Sequence, residues 1–346
     1  MRVALRPVVR LMLGAGLCAT AILAVAGPVS ARTKHLSIGS VSAIVSSDYR
    51  LNNAANADLS YAVQAEHEGG SALTMDDETF RAAKIAGDPT LDGATYSAFE
   101  GTVASSSAPP QSTYPLRFIA LSPLTSPAGT PSADRVCAGS ADVLEFQKDS
   151  SASTWKVTNE PSADEQASIP RFAKTASGTG GFATGSGYVT PLNSVEVDYI
   201  AAMTAQARTG NGGALLPSKL FATGRCVLEL WNPRTDYGVH DGLNLSVSVK
   251  ALSPRDFVAY QVKGGALALF TLQGTIREAP QTSGEHINWS HGSTLWWDLL
   301  PAGEYSVVHW TVDQELAVFV PSTATGGTMR VLAGYSDIVN IGGTAY

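Results

Sequence analysis

Leu243, Leu245, Val247 and Val249 alternate with Asn244, Ser246, Ser248 and Lys250, the clearest period-two run in the chain, and predict a half-buried strand. Phe257 to Val262 and Ala266 to Leu272 follow as two apolar runs around Lys263-Gly264-Gly265, which predicts a tight hairpin. Tyr305 to Val312, Leu316 to Val320 and Met329 to Leu332 predict three more strands. In the first half, Leu116 to Leu121, Val143 to Phe146 and Thr154 to Val157 are enriched in β-branched and aromatic residues. Asp149-Ser150-Ser151-Ala152 supplies turn chemistry between the last two.

Helical patterns precede each group of strands. The first is expected from Asp48 through Tyr49, Leu51, Ala55 and Val63, ending at Gly69-Gly70. A second is expected to begin at Thr74, with Asp76, Asp77 and Glu78 at its positive end, to bury Phe80, Ala83 and Ala86, and to stop at Gly87. A third runs from Ser194 through Tyr199, Ile200 and Met203 to Arg208, and a short one follows Pro217. Residues 174–189 are too rich in glycine for a core element and read as a flexible linker. Helix followed by antiparallel strands, twice, predicts the α+β class: two tandem domains, at residues 40–173 and 190–343, each a curved sheet around its own N-terminal helix.

The N-terminus changes where such a protein is expected to work. Arg2, Arg6 and Arg10 precede an apolar run from Leu11 to Ala26, and Val29-Ser30-Ala31 places small residues before a cut after Ala31, the form of a secretory signal peptide over residues 1–31. The run is shorter than the roughly 20 residues of a membrane span, so no stable span is expected after cleavage. Leu17 stands before Cys18 where a lipid-anchoring signal needs a small residue. The protein is therefore expected to be secreted or on the outer side of the cell envelope. Cleavage would leave Cys137 and Cys226, read as a disulfide in an oxidising compartment, with two free buried thiols as the alternative.

The formal net charge is −7, and removal of three arginines with the signal makes the remainder more acidic still. An acidic chain without a Lys/Arg cluster is a poor partner for nucleic acid. Hydrophobic residues make up 44% and charged residues 15%, enough for a true core and against wholesale disorder.

No catalytic signature stands out. Gly185-Ser186-Gly187 lacks the strand-turn-helix setting of a nucleophile elbow. Glu66-His67-Glu68 has ligand chemistry, but at the end of a helix it reads as a solvated charged face, and neither a metal nor a cofactor is assigned. Five of the six tryptophans fall in the second half, and Trp296 and Trp297 with His309 and His240 form the candidate ligand-binding set: indole walls for a small molecule or sugar, and imidazoles near neutral pKa. Ordinary core packing is the alternative. The leading expectation is a non-enzymatic binding protein for an unknown envelope partner or small ligand. A small-molecule isomerase or hydrolase using the His/Trp set, and a cell-wall carbohydrate-binding module, remain open.

Short motifs add a resemblance. Leu51-Asn52-Asn53-Ala54-Ala55-Asn56-Ala57-Asp58-Leu59, the stretch Glu66 to Leu73, Trp155-Lys156-Val157 before Glu160-Pro161, Pro170-Arg171-Phe172, Gln314 to Pro321 and Val331 to Tyr335 together resemble an actinobacterial secreted and lipoprotein family, domain of unknown function 8094. The resemblance implies a cystatin-like, or nuclear-transport-factor-like, roll in each half and implies no activity, since such folds host enzymes and binding modules alike. The lipid-anchoring motif common in that family is missing here.

Overall fold

Buried positions at Val41, Val45, Asp48, Tyr49, Ala55 and Asn56 fall on one helical face and define the first element. The structure, a computed structural model, describes residues 36–87, 103–123, 141–163, 169–174, 180–209, 242–253, 256–290 and 299–346. The first helix, α1, spans Ile38–Asp58 and starts well before Asp48, because Ser37 caps it by accepting from the Ser40 amide at 3.1 Å. It ends at Leu59, whose φ of 48° is left-handed. Burial against Ala55, Phe80 and Ala83 holds this non-glycine residue there.

Two further helices follow where one boundary was expected. α2 covers Tyr61–His67 and α3 covers Gly70–Ala86, with Gly69 in the N-cap position, so the glycine pair starts a helix as well as ending one. Gly70 has φ of 63°, and a Cβ there would lie 3.3 Å from the Thr158 carbonyl, which explains glycine at this point. α3 stops at left-handed Gly87 as expected, but Ala82 rather than Ala86 joins Phe80 and Ala83 in the core.

The strands are β1 (Ser105–Ser107), β2 (Leu116–Pro123), β3 (Ala141–Lys148), β4 (Lys156–Asn159), β5 (Ser162–Ala163), β6 (Leu243–Ala251), β7 (Val258–Val262), β8 (Gly265–Pro280), β9 (Ile287–Trp289), β10 (Gly303–Pro321) and β11 (Arg330–Ala345). All belong to one antiparallel sheet in the order β1-β2-β3-β5-β11-β10-β8-β6, with β4 on β3, β7 on β8 and β9 on β10. Together with α4 (Val195–Thr209) this makes the protein α+β. β5 pairs with β3 on one side and β11 on the other, so strands from both halves of the sequence share hydrogen bonds. They also share a core, in which Ile119, Leu121 and Val143 meet Tyr260, Leu267, Leu269 and Ala317.

The expected β6 alternation holds, with Asn244, Ser246, Ser248 and Lys250 outward, and the β7–β8 hairpin turns at Lys263-Gly264 with Gly264 at φ of 84°. α1 and α3 pack on β2, β3 and β4 through Val41, Val45, Tyr49 and Ala72 against Phe118, Leu144, Phe146 and Val157. α4 packs Val195, Tyr199 and Met203 on Phe270, Leu272 and Leu316.

Two expectations change. β10 is one strand of 19 residues rather than two, because Asp313, Gln314 and Glu315, a polar break in the pattern, stay buried in the sheet. Of the glycine-rich stretch, the described residues 180–189 are not free connection. Phe182 bridges Tyr260, Tyr188 bridges Ser322, and the Ala183 amide donates to Ala259 at 2.8 Å. Glycine permits this close approach: a Cβ on Gly180 would meet Ser107 Oγ at 2.2 Å.

Candidate functional site

Acidic side chains gather where α2, α3 and β4 meet. Glu68 leaves α2 in extended conformation, lies parallel to Val157 of β4, and is followed by Gly69, whose amide donates to the Val157 carbonyl at 2.8 Å. That register turns the Glu68 side chain inward, where it is 1% exposed. Asp76 arrives from the middle of α3, and Glu160 from the residue that follows β4. One carboxylate oxygen from each of Glu68, Asp76 and Glu160 lies within 4.8 Å of the other two. Glu68 is buried, and Asp76 and Glu160 are half-buried.

Gln64, one helical turn before Glu68, reaches into the same spot. Its Nε2 donates to Glu68 Oε1, to Asp76 Oδ2 and, at 3.3 Å, to Asn52 Oδ1. Its Oε1 is buried and has no partner, as is Glu68 Oε2. His67 turns the other way: Nδ1 lies 2.8 Å from Asp48 Oδ1 and 4.0 Å from Glu68 Oε1. An ionised Asp48 places the ring proton on Nδ1.

A polar chain runs from this cluster into the sheet. The Glu160 amide donates to Glu315 Oε2 at 2.6 Å, and Ser71 Oγ donates to Glu315 Oε1 at 2.5 Å. Ser71 Oγ lies 3.0 Å from Thr271 Oγ1, which donates to Asn159 Oδ1 at 3.0 Å. Asn159 Nδ2 in turn donates to Glu145 Oε2 at 3.0 Å, and Arg117 Nη1 pairs with Glu145 Oε1 at 2.6 Å. Lys156, on the neighbouring strand, spends its ammonium on the Ala65 carbonyl at 2.6 Å.

The electrostatics follow from this placement. Burial pushes the Glu68 carboxyl well above its ordinary range, and Asp76, Glu160 and Asp48 push it further. Glu160 rises well above its range for the same reasons, through burial, Asp76 and Glu315. Glu315 is pushed up to about 8 by burial, against the pull of the Glu160 amide and Ser71. The acids therefore hold protons or attract positive charge; they cannot all ionise in isolation. Ser71, 3% exposed, orders Glu315 and offers no reachable nucleophile.

The chain has no match among family models, curated proteins or solved structures. The site rests on its own geometry.

Most of this site was not read from the sequence. Glu66 is exposed as expected, but His67 and Glu68 are buried rather than part of a solvated face, because Glu68 is pinned to β4 by backbone pairing. Thr74 does not cap α3, and Asp76, Asp77 and Glu78 lie beyond its first turn, since the helix starts at Gly70. Gln64 carries no expectation from the sequence, and Glu160 and Glu315 enter there only within the resemblance motifs, with no site role; the available signal was Asp313-Gln314-Glu315 within an otherwise apolar strand. Of the expected ligand-binding set, His309 is half-buried on β10 with its ring against Gly342, and it forms no ion pair among the described residues. Trp296, Trp297 and His240 lie outside the described residues, as do Cys137, Cys226 and Ala31. Trp289 and Trp310 are core residues, packed together at a ring distance of 6.4 Å.

Proposed function

We propose that this chain is an exported, non-enzymatic binding protein whose binding centre is the acid-lined junction of α2, α3 and β4, and that its ligand carries positive charge. The convergence of Glu68, Asp76 and Glu160 carries the reading. Holding like charges together costs free energy, and a cationic ligand turns that cost into affinity. Arg117 and Lys156 are engaged at Glu145 and Ala65. The half-buried side of the cluster gives a ligand its way in.

Export is supported by Arg2, Arg6 and Arg10 before the apolar run and by Val29-Ser30-Ala31. Among the described residues no helix is long and apolar enough to cross a membrane. An oxidising destination suits pairing of Cys137 with Cys226. We further propose membership of the family of domain of unknown function 8094 and an architecture of two cystatin-like rolls. The quoted motifs support the first, and helices followed by antiparallel strands in each half support the second.

Melting the full chain with a panel of inorganic cations, polyamines, neutral oligosaccharides and dicarboxylates tests the function. Cationic members are expected to raise the melting temperature, and Glu68→Gln to remove the effect. Stabilisation by oligosaccharides alone, with a change in tryptophan emission, would instead favour a carbohydrate-binding module.

A further inference from the structure

We propose that Glu68, Asp76 and Glu160, with Gln64 Oε1 as a fourth ligand, hold one calcium ion; this rests on the reading of the acid-lined junction as a cation-binding centre. The donor set is oxygen throughout, which selects a hard cation over zinc or copper. Calcium–oxygen distances are about 2.4 Å, so oxygens sharing one ion lie at most about twice that apart. The three carboxylates already satisfy this limit, with ligand atoms within 4.8 Å of one another. The ligands come from α2, its C-terminal cap, α3 and the residue after β4, an asymmetric set that suits calcium's flexible shell of about 6–8 oxygens better than magnesium's octahedron. Solvent at the half-buried side supplies the remaining positions.

Two unpartnered buried atoms belong to residues at this cluster. Gln64 is fully buried, and its nitrogen touches both Glu68 and Asp76 while its oxygen has no partner. A half-turn of the amide brings that oxygen toward the carboxylates once an ion neutralises them. Glu68 Oε2, also buried and unpartnered, gives a second oxygen on the same carboxylate. Both atoms are costly to leave unmade; an ion gives Glu68 Oε2 a partner, and gives Gln64 Oε1 one when the amide turns and exchanges its Nε2 donations to Glu68 and Asp76 for that contact.

Calorimetric titration of the chelator-stripped full chain with calcium tests this. The expected result is one site with a Kd of about 10⁻⁴ to 10⁻³ M, the range of extracellular calcium modules, and weaker binding of magnesium. Glu160→Gln and Asp76→Asn are each expected to weaken calcium at least about tenfold, as for a lost charged ligand, whereas Glu66→Gln, on an exposed neighbour, leaves it unchanged. Circular dichroism verifies that each variant folds. Should Glu160→Gln fail to fold, Asp76→Asn at its half-buried position and the wild-type titration decide. A wild-type chain that gives no calcium isotherm overturns the assignment. If a polyamine still binds and competes with Glu68→Gln sensitivity intact, the cationic-ligand reading stands without calcium; if neither binds, both fall. Calcium binding undiminished in both carboxamide variants also overturns it.

Discussion

Glu278 on β8 offers a test of the electrostatics away from the proposed binding centre. Its direct cross-strand neighbours are Leu245 on β6 and Val308 on β10, so the side chain shares a face with two apolar residues. Glu278 is 6% exposed, and burial pushes its carboxyl from 4.5 up to about 7. The folded state therefore keeps the proton at pH values where the unfolded chain has lost it. The sign follows from linkage: the associated stability is fully present below about pH 4.5 and is lost as pH rises through about 7. At about 1.4 kcal/mol for each pH unit between those values, the loss is about 3 kcal/mol. Glu278→Gln keeps the shape and removes the titration. Urea unfolding of wild type and variant, followed by circular dichroism, should give similar stabilities at pH 4.5 and a variant more stable by about 3 kcal/mol at pH 8. Comparing the two chains cancels the other buried acids, which titrate in both. A difference that does not change with pH, or a variant less stable at pH 8, would refute the reasoning.

Two other predictions concern the polar interior and the N-terminus. Arg117→Ala leaves Glu145, which is fully buried, with Asn159 as its remaining named partner; chemical denaturation should show a loss of about 3–5 kcal/mol, part of it recovered by adding Glu145→Gln. A loss below about 1 kcal/mol would mean that the pair contributes as little as a surface bridge. Mass spectrometry of the protein recovered outside producing cells should find Arg32 as its first residue and Cys137 linked to Cys226. An intact Met1 in the membrane fraction, or free thiols at both cysteines, would contradict the respective expectation.

Local pattern carried much of the fold. The alternation in β6, the Lys263-Gly264 turn, the stop at Gly87 and the apolar face of α4 depend on neighbours in sequence, and each is found where expected. What local pattern could not carry is long-range pairing. Nothing near Ser162 signals that its strand joins β3 to β11, and nothing near Glu68 signals that Val157, far along the chain, will draw it inward. Glu66-His67-Glu68 reads as a solvated face at a helix end, in keeping with the cost of burying a charge. Glu68 and Glu315 are buried all the same, with Glu160 half-buried, which is why the place where they meet is a candidate site. The expected strands stop at Val312 and resume at Leu316, whereas β10 runs through the polar residues between them, and Glu315 is held there by Ser71 and the Glu160 amide.

The central claim is that the acid-lined junction takes a cation. A crystal of the full chain soaked in terbium, a calcium surrogate with strong anomalous scattering, tests it most directly. The account predicts one dominant anomalous peak between Glu68, Asp76 and Glu160, with carboxylate oxygens about 2.3–2.6 Å away and the Gln64 amide turned to present its oxygen. Terbium bound only at other carboxylates, with Gln64 Nε2 still donating to Glu68 and Asp76, would contradict it.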